Sequence, residues 1–324
     1  MKILVVIPAN LIDGVMKYST FIETEVKSLI ADQGLEVEKF YFVKRNSVLG
    51  FIKELRALNS HIQNFKPDII HSHYGATTGL LVSMASKKCP WIATYGGSEL
   101  LGHPNKGVYW RLREFFSKRL SHYSADKADC LICVSENLKM ALSTKNQNKC
   151  SVIPRGVNTI FFSSNRSQNY SNVVLFSLPR MNATVKNLPL AEKVLELYNS
   201  KNARELSLEI IHNKSQVEIR ELFERGDLLL VTSTHEGSPN IVKEAMASDL
   251  PIVSVDCGDV ATLLDGVSDC YVSSQYDAVE LAGYIEKIYG KGIRSTNGRI
   301  QLYEKGLSID ACTLKIHALY KTMI

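Results

Sequence analysis

Short apolar runs rich in β-branched residues recur along this chain between longer amphipathic stretches. Six such runs lie in the first half of the sequence and four in the second: KILVVIP, VEKFYFV, DIIHSH, WIATY, CLICVS, CSVIP, VVLFSLP, LSLEIIH, LLLVTS and PIVSVD. Strands that alternate with helical segments are typical of βαβ units, whose parallel sheets are buried on both faces. The alternation therefore predicts an α/β fold with doubly wound parallel sheets, which bind ligands beyond the carboxyl ends of their strands.

The length of 324 residues predicts two such domains, because single domains commonly hold roughly 100 to 200 residues. A polar, turn-rich stretch at residues 163–172, SSNRSQNYSN, is the best candidate for a linker. We therefore expect two Rossmann-like domains, residues 1–165 and 166–305, that face each other across a cleft. Residues 306–324 are expected to form a helix near the domain junction, with apolar side chains at helical spacing: Ala311, Leu314, Ile316, Leu319 and Met323.

The amino-acid composition and the cysteine content indicate where in the cell the protein is located. With 45% apolar and 22% charged residues the chain is globular, and no apolar run approaches the roughly 20 residues that span a bilayer. The start MKILVVIPAN is better interpreted as a buried strand than as a signal peptide. Seven scattered cysteines, an odd number, argue against a disulfide framework. These features predict a cytoplasmic protein.

Positive charge is concentrated in the first half of the chain. Residues 1–165 hold 21 Lys and Arg against 13 Asp and Glu, a net charge of +8, whereas residues 166–324 hold 17 against 20, a net charge of −3. Such asymmetry favours an anionic partner for the first half, for which nucleic acid, a phosphorylated substrate and a membrane surface all remain open. A plain basic surface is the alternative.

Residues 106–123, from Lys106 to Tyr123, combine aromatic and basic side chains in one helical stretch, KGVYWRLREFFSKRLSHY. From Lys106 to Arg119 the stretch carries five basic residues and one acidic residue. This combination is typical of an interfacial helix on anionic lipid. The alternative is an ordinary helix whose aromatic side chains pack on the sheet beneath a basic outer face.

Residues 228–255, LLLVTSTHEGSPNIVKEAMASDLPIVSV, predict a strand, a loop and a helix that begins near Asn240. Gly237 lets the backbone approach a ligand closely, and Pro239 suits the first turn of a helix. The free N–H groups around residues 238–241 then attract an anion, above all a phosphate group.

Four charged side chains are expected at this edge of the second sheet. Glu236 lies just before the helix and Glu244 about one turn inside it, so both carboxylates can flank one pocket. The alternative is that Glu236 only stabilises the helix start and Glu244 is solvated. Arg180 and Lys186 follow the first strand of the second half, where two cations beside a helix N-terminus suit a diphosphate. An Arg and a Lys in a surface loop are, alternatively, simply solvated.

The spacing of one histidine pair and one cysteine pair argues against metal binding and redox chemistry. His71 and His73 alternate across the strand DIIHSH, so we expect side chains on opposite faces, no shared ion, and no metal site in the protein. Cys130 and Cys133 fall within a strand, unlike a redox CxxC pair, and are expected to be structural. The sequence has no GxGxxG after Ile7 and no GxxxxGK, which argues against dinucleotide oxidoreductases and P-loop NTPases.

The segment EGSPNIVKEA, with Glu236 and Glu244 eight residues apart, resembles the E-x7-E signature of retaining glycosyltransferases with the GT-B fold, specifically glycosyltransferase family 4. VVLFSLPR…VKN stands where that family has Gly-Arg-Leu…Lys-Gly, and CSVIPRGVNTIFF where it has Val-Ile-Pro-Asn-Gly-Val-Asp…Phe. CLICVSENLKMAL, DIIHSHYGATTGLL and YSTFIETEVKSLIADQGLEV are similar to further family segments of the first domain. The resemblance covers nearly the whole chain in the family's order.

The resemblance implies that a sugar moves from a nucleotide diphosphate-sugar, most simply a UDP-sugar, with its anomeric configuration retained and with no cofactor or metal. By the same resemblance, Arg180 and Lys186 hold the donor diphosphate and form the catalytic set with Glu236, which contacts the donor sugar. Glu244 accepts hydrogen bonds from the ribose. The other donor-binding positions are Gly237, Ser238, Pro239, Asn240 and Ile241.

The resemblance also suggests an acceptor side in the first domain. The loop at residues 14–20 is one candidate segment, and Thr20 and Glu23 have the spacing of a capping box at the start of a helix. A plain loop and cap is the alternative. The acceptor-side residues are Gly14, Ser19, Thr20, Gly97 and Glu99.

Four positions of the first domain depart from the family pattern: Gly96, Glu99, which is one methylene longer than the usual Asp, Arg155, and Asn158, which replaces an Asp. Gly96, in the stretch TYGGSE at residues 94–99, stands where the family often has a histidine. Arg155, in IPRGVN, replaces the common Asn.

The sequence thus predicts a retaining hexosyl- or N-acetylhexosaminyltransferase that acts on a glycan or lipid-linked glycan in cell-surface polysaccharide biosynthesis. Its expected location is the cytoplasm, with peripheral contact to the inner membrane face through residues 106–123, and no nucleic acid is expected as a partner. The alternatives are a nucleotide-sugar epimerase or phosphorylase of the same fold, and an inactive nucleotide-sugar-binding subunit.

Overall fold

The computed structural model describes the chain except for residues 13–14, 33, 44–46, 103–107, 164, 168 and 179–182, and the side chains of residues 15, 98, 108, 109 and 183. The chain divides into two compact units. The first comprises Met1–Gly156 together with Ile309–Ile324, and the second comprises Val157–Ser308. The first unit thus ends earlier than the expected boundary after residue 165, and the C-terminal helix belongs to it.

The first unit alternates strands and helices, apart from a small hairpin after its first strand. In chain order its elements are β1 (Lys2–Pro8), β2 (Asn10–Ile12), β3 (Val15–Lys17), α1 (Thr20–Ala31), β4 (Glu36–Phe42), α2 (Val48–Phe65), β5 (Ile69–His73), α3 (Ala76–Met84), β6 (Trp91–Tyr95), α4 (Ser98–Leu101), α5 (Val108–Lys127), β7 (Cys130–Cys133), α6 (Glu136–Met140), α7 (Thr144–Gln147) and β8 (Cys150–Val152).

Six parallel strands form the sheet of the first unit in the order β4-β1-β5-β6-β7-β8. Successive side chains of β1 enter two separate hydrophobic clusters. Ile3, Val5 and Ile7 join the cluster that contains Val26 of α1, while Leu4 and Val6 join the one that contains helix α2. Both faces of the sheet are therefore covered, which explains why β1 reads as a continuous apolar run.

The second unit repeats this scheme. Its elements are β9 (Val173–Ser177), α8 (Ala183–Lys186), α9 (Leu188–Lys201), β10 (Ser207–Ile211), α10 (Gln216–Arg225), β11 (Leu228–Val231), α11 (Asn240–Ala247), β12 (Ile252–Val255), α12 (Val260–Leu264), β13 (Tyr271–Ser273), α13 (Ala278–Gly290) and α14 (Gly298–Glu304). Five parallel strands are ordered β10-β9-β11-β12-β13.

A buried ionic network ties the end of the second unit to its sheet. Asp227, just before β11, is fully buried and pairs with the guanidinium of Arg294. The hydroxyl of Tyr289 donates to the same carboxylate at 2.7 Å, and so does the backbone N–H of Ser171 at 2.9 Å. Because the carboxylate is satisfied from three sides, its burial is compensated.

The predicted α/β fold of doubly wound parallel sheets is confirmed. Each of the ten apolar runs corresponds to an observed strand, β1 and β4 through β12. The sequence reading missed β13 and the antiparallel hairpin of β2 and β3, because each of these strands has only three residues. Strands that short leave no periodic signal.

The predicted C-terminal helix is α15, Ile309–Lys321. It packs on α1, and the side chains that it buries include Cys312, Ile316 and Tyr320. Leu314, expected on the apolar face, is 65% exposed. Of the five side chains expected on the apolar face, Ile316 is buried and Leu319 and Met323 pack against the core, so Leu314 is the main departure.

Candidate functional site

The order of strands reverses once in each sheet. In the second unit the chain passes from β9 outward to β10 on one side, and then crosses to β11 on the other. The connections that leave β9 and β11 therefore diverge at the carboxyl edge, which is where doubly wound sheets bind ligands. Lys186 ends α8 after β9, and Glu236 lies in the loop after β11, so the two residues flank this switch point.

An ion pair joins the two sides of the switch point. Lys186 Nζ lies 2.5 Å from Glu236 Oε1, and the side chains are only 11% and 17% exposed. The loop that carries Glu236 also binds the backbone carbonyls of α8: the hydroxyl Oγ1 of Thr232 donates to the carbonyl of Lys186 at 2.8 Å. Another such bond runs from the N–H of Thr234 to the carbonyl of Val185 at 2.8 Å. The sequence thus placed both charged residues at the correct edge of the sheet.

Helix α11 begins at Asn240, as predicted, and its N-terminus lies at the same edge. Pro239 is the N-cap residue rather than a first-turn residue, and it offers no side-chain cap to the first-turn N–H groups. Asn240 Oδ1 is buried and has no hydrogen-bond partner among the described residues. A helix start of this kind attracts anions, and the amide of Asn240 adds a polar group for a ligand.

Glu244 lies one turn inside α11 and is partly buried. Burial raises the pKa of its carboxyl to about 7, and the charge of neighbouring Lys243 opposes this rise. Lys243 itself is fully buried. The partial burial of Glu244 therefore differs from the fully solvated carboxylate of the alternative.

Gly258, two residues beyond the expected strand PIVSVD, shapes the Glu236 loop. Its φ is +65°, a left-handed conformation, and a Cβ at this position would lie 2.8 Å from the carbonyl oxygen of Gly237 and 2.9 Å from that of Glu236. Only glycine allows this close approach of two backbones. Sequence reasoning did not identify Gly258, although a glycine just after the carboxyl end of a strand was its signal.

The switch point of the first sheet lies between β1 and β5. The guanidinium carbon of Arg155, which follows β8, lies 3.6 Å from the ring centroid of Phe21 in α1 and 5.9 Å from that of Tyr74 after β5. Gly96 follows β6, and a Cβ there would overlap the guanidinium of Arg155. Two of the positions that depart from the family pattern, Gly96 and Arg155, therefore lie against each other.

His71 and His73 lie on the same face of β5, so the expectation of opposite faces was wrong. Side chains alternate along a strand, and residues two apart share a face. The two rings are 4.7 Å apart, and His73 Nε2 lies 3.4 Å from Glu25 Oε1 of α1. His71 forms hydrogen bonds with Tyr320 OH at 2.6 Å and with Thr94 Oγ1 at 2.7 Å.

This buried cluster has the composition of a metal site, since ligand atoms of Glu25, His71 and His73 all lie within 4.8 Å of one another. Two observations weigh against a cation there. Both ring nitrogens of His71 already have hydrogen-bond partners. Burial raises the pKa of Glu25 and lowers that of His73, and the positive charge of Arg155 opposes the first shift and adds to the second, so a cation already acts on this cluster. The residues thus fit a metal poorly.

The acceptor-side predictions are only partly accessible to the structure. Gly14 lies outside the described residues, as does Arg180 of the catalytic set. Gly97 has a φ of +155° and open space where a side chain would start. Glu99 is buried and accepts a hydrogen bond from the N–H of Gly96 at 2.5 Å, so it braces the turn after β6.

The predicted capping box at the start of α1 is wrong. The helix begins at Thr20, its N-cap is Ser19, and the Ser19 side chain makes no capping hydrogen bond. Glu23 instead pairs with Lys27 at 2.7 Å, one turn further along the helix. The spacing of Thr20 and Glu23 requires Thr20 as the N-cap, but the N-cap is Ser19, and the residue three positions after it is Ile22, which cannot complete a capping box.

Helix α5 exposes the aromatic residues that one interpretation placed in the core. Its second half packs on α3 through small side chains that include Ser124 and Ala125. Its first half is mostly exposed, and the exposed apolar side chains are Trp110, Leu112, Phe115 and Phe116, at 43%, 56%, 55% and 61%. Among the helices that the structure describes, none is long and apolar enough to cross a bilayer.

Two family models match the chain. The model described as Glycosyltransferase Family 4 matches residues 17–161, and the one described as Glycosyl transferases group 1 matches residues 189–291. The first covers most of the first unit. The second lies within the second unit and includes Glu236 and Glu244.

Similar proteins extend over nearly the whole chain. An uncharacterized glycosyltransferase of Methanocaldococcus jannaschii, MJ1178, is 24% identical over 95% of this chain and 89% of its own length. Sucrose-phosphate synthase from Thermosynechococcus elongatus matches with a TM-score of 0.73 at 14% identity, over 99% of this chain and 98% of that one. The Anabaena protein HepE, solved with UDP-glucose, matches with a TM-score of 0.72 at 15% identity, over 99% and 100% of the two chains. These structural likenesses show a GT-B fold.

The buried carboxyl of Glu25 makes the stability of the first unit depend on pH. Burial raises its pKa from 4.5 to about 7. The unfolded chain therefore loses this proton at a lower pH than the folded chain does, and the free energy of unfolding falls as the pH rises from 4.5 to about 7. Glu25→Gln cannot ionise, so we expect its free energy of unfolding to rise by about 2 to 3 kcal/mol relative to that of the wild type when the pH is raised from 5 to 8. Urea unfolding followed by tryptophan fluorescence measures this, because both tryptophans, Trp91 and Trp110, lie in the first unit.

Glu23→Gln is the matched control, since its carboxylate is 38% exposed and paired with Lys27. Its effect on stability should change by less than about 1 kcal/mol over the same pH range. A parallel pH response of the two variants would contradict the role of burial at Glu25.

Substitution of Gly258 should loosen the loop that carries Glu236. We expect Gly258→Ala to destabilise this region by about 1 to 3 kcal/mol, because the new Cβ meets two carbonyl oxygens and the left-handed backbone disfavours alanine. Hydrogen exchange of residues 232–239, followed by mass spectrometry, should become faster. Gly283→Ala is the control: this helical glycine has open space around its Cβ position, so exchange in the loop should not change.

Proposed function

We propose, from the premise that this chain is a GT-B glycosyltransferase of the family 4 type, that it moves a sugar from a UDP-sugar to a glycan or lipid-linked glycan and retains the anomeric configuration. The observation that carries the proposal is the buried ion pair of Lys186 and Glu236 at the switch point of the second sheet. The biological process we propose is the assembly of a cell-surface polysaccharide.

The donor diphosphate is assigned to the N-terminus of α11 and to Lys186. The first-turn N–H groups of α11 carry no side-chain cap from Pro239, which supports a role in binding phosphate oxygens. Lys186 is held at the same edge by the bonds between α8 and the loop after β11. The structural likeness to HepE, solved with UDP-glucose, supports UDP as the nucleotide.

Glu236 and Glu244 have different tasks in this proposal. Without donor, the carboxylate of Glu236 is paired with the ammonium group of Lys186. A bound diphosphate competes for this ammonium group and so frees the carboxylate to contact the donor sugar. Glu244, partly buried one turn deeper, accepts hydrogen bonds from the ribose hydroxyls. A neutral sugar diol suits this carboxyl, whose burial raises its pKa to about 7 and disfavours the charged form.

Charge stabilisation explains the chemistry. When the bond between the anomeric carbon and the diphosphate breaks, its electron pair stays on the diphosphate, and negative charge grows there. Lys186 and the N–H groups of α11 are fixed donors for this charge, and the resemblance adds Arg180 as a further cation; stabilising this charge is the task that a metal ion performs in other transferases. The proposal therefore includes no metal and no other cofactor, and activity should persist in the presence of a chelator.

Donor binding and turnover should separate at two positions. Glu244→Ala should weaken UDP binding roughly 10- to 100-fold, because it removes hydrogen bonds to a carboxyl group. Lys186→Met should lower turnover roughly 10²- to 10³-fold, because it removes a cation that faces the leaving diphosphate. Calorimetry with UDP and a coupled assay for UDP release measure the two effects.

Glu221→Ala is the control, since Glu221 is an exposed carboxylate on α10. It should bind UDP like the wild type. Wild-type affinity in Glu244→Ala together with wild-type turnover in Lys186→Met would refute the assignment of the donor site. Proton NMR of the first sugar released from UDP-glucose tests retention, which predicts the α-anomer.

The acceptor side is assigned to the first unit, where we propose that α5 lies against an anionic membrane surface. The exposed aromatic residues of its first half are interleaved with Arg111, Arg113 and Arg119. Arg113 lies 5.1 Å from the ring of Trp110 and Arg119 lies 5.2 Å from that of Phe115. Exposed aromatic rings among arginines fit the boundary between anionic headgroups and acyl chains. Such a surface would bring the enzyme to a lipid-linked acceptor.

Membrane contact predicts flotation with anionic vesicles. Phe115→Ser combined with Phe116→Ser should reduce co-flotation with phosphatidylglycerol vesicles several-fold, because two exposed rings are lost from the interface. Leu314→Ser is the control, since it removes another exposed apolar side chain, 65% exposed, from a different helix. Equal flotation of all three proteins, or flotation with phosphatidylcholine alone, would contradict the proposed surface.

A further inference from the structure

The first turns of α2 expose apolar side chains to solvent. Val48, Leu49 and Ile52 are 78%, 75% and 40% exposed. The helix connects β4 to β5, which run parallel to each other, so its start lies at the carboxyl edge of the sheet. The second half of the helix is held in the core by buried residues that include Leu58 and Ile62. Packing against the sheet therefore does not explain the exposed side chains at the start.

The hairpin of β2 and β3 also exposes apolar side chains. It is a separate two-stranded sheet, and Leu11, Ile12 and Met16 are 59%, 44% and 37% exposed. An isolated hairpin is marginally stable in water unless further strands or a packing partner cover its apolar side chains. The hairpin starts just after β1, where the N–H of Ala9 donates to the carbonyl of Phe42 at the end of β4 at 3.0 Å. The hairpin and α2 therefore start from neighbouring strand ends.

The exposed side of α2 changes from apolar to basic away from the carboxyl edge. Lys53 lies one turn after Leu49, and Arg56 lies one turn after Ile52. Each cation is therefore about 6 Å further along the helix axis than the apolar side chain before it. Ser60, one more turn along, is exposed and uncharged.

The hairpin has the same order of side chains. Its pair of residues furthest from β1 contains Ile12, and the pair nearest to β1 joins Asn10 to Lys17. Lys17 thus lies two residues, or about 7 Å, behind the apolar end. Lys17, Lys53 and Arg56 are all exposed, and they form no ion pair among the residues that the structure describes. Both elements therefore present apolar side chains first and a cation behind them.

An anionic bilayer has the matching layers. Segments at its surface bury apolar side chains roughly 5 to 10 Å deep, at the boundary of acyl chains and headgroups, while cations contact the negative headgroups. The core of a protein interface is typically enriched in aromatic side chains. The exposed apolar residues of the hairpin and of the start of α2 are instead all aliphatic or methionine. These side chains fit acyl chains better than a protein partner.

We propose that the hairpin of β2 and β3 and the first turns of α2 insert into an anionic phospholipid bilayer. The inference rests on the proposed function and extends the membrane contact proposed for α5. Helix α5 lies between the parallel strands β6 and β7, so its exposed first half starts at the same carboxyl edge. The helices α2 and α5 also bury residues in one hydrophobic cluster, on one face of the sheet. The carboxyl edge of the first sheet then faces the bilayer, where a lipid-linked acceptor is held.

Tryptophan quenching tests the insertion. Leu49→Trp is compared with Ser60→Trp, a probe on the same helix, in the full chain with Trp110→Phe. The remaining native tryptophan, Trp91, is fully buried. On phosphatidylglycerol vesicles with bromine atoms on their acyl chains, the fluorescence of Leu49→Trp should fall by roughly half, because its ring lies at the acyl boundary. That of Ser60→Trp should not change. Equal quenching of both probes, or no quenching of Leu49→Trp on vesicles that bind the protein, overturns the proposal.

Vesicle co-sedimentation tests the contribution to affinity. Ile12→Asp combined with Leu49→Asp should weaken binding to phosphatidylglycerol vesicles roughly 10-fold or more, because both inserted side chains become charged. Ser60→Asp combined with Gln63→Asp is the matched control, since it adds the same charge at exposed positions of α2. These positions lie about 16 Å or more along the axis from Leu49, beyond the Debye length, so binding should be nearly unchanged. Equal losses in the two double variants overturn insertion.

Light scattering without vesicles tests a second copy of the chain as the occupant. A wild-type dimer that Ile12→Asp with Leu49→Asp converts to a monomer overturns the bilayer as the partner, whereas two monomers agree with it. UDP binding, measured by calorimetry, does not involve these positions. A wild type that binds no UDP refutes the proposed donor site, whereas normal UDP affinity without quenching of Leu49→Trp refutes the inserted surface alone.

Discussion

The reversal of strand order in each parallel sheet is the constraint on which the candidate sites depend. A parallel strand needs a long crossover, and the crossovers on either side of the first strand leave in opposite directions. A crevice therefore forms at the carboxyl ends of the two strands at which the order reverses, β1 and β5 in the first sheet and β9 and β11 in the second. In the second unit that place holds Lys186 and Glu236, and in the first it holds Arg155 between Phe21 and Tyr74.

Each unit stabilises its charged edge in a different way. In the second, Lys186 pairs with Glu236 at 2.5 Å, and hydrogen bonds from the Thr232 hydroxyl and the Thr234 N–H hold α8 against the loop after β11. In the first, Arg155 is supported by an aromatic ring, while the nearby carboxyls Glu25 and Glu99 are buried and reluctant to ionise. An ion pair therefore stabilises the cation of the second unit, and contact with an aromatic ring stabilises that of the first.

The sequence predicted the layout well because its strongest signals are local. The ten apolar strands, the start of α11 at Asn240 and the edge shared by Lys186 and Glu236 all follow from periodicity and chain order. The contacts that it missed are long-range: Gly258 against the Glu236 loop, and Glu25 against His73. The aromatic residues of α5 show a further limit, because helical spacing alone does not distinguish a core face from an exposed one.

The relation between Gly96 and Arg155 shows how two departures from a pattern combine into one structural feature. Taken singly, the glycine loses a side chain and the arginine adds a large charged one in place of an amide. In the structure the guanidinium of Arg155 fills the volume that Gly96 leaves open. The glycine thus makes the larger side chain sterically acceptable, and the arginine fills what would otherwise be a gap. The two positions therefore act as one steric unit, and neither residue is explained by its own place in the sequence alone.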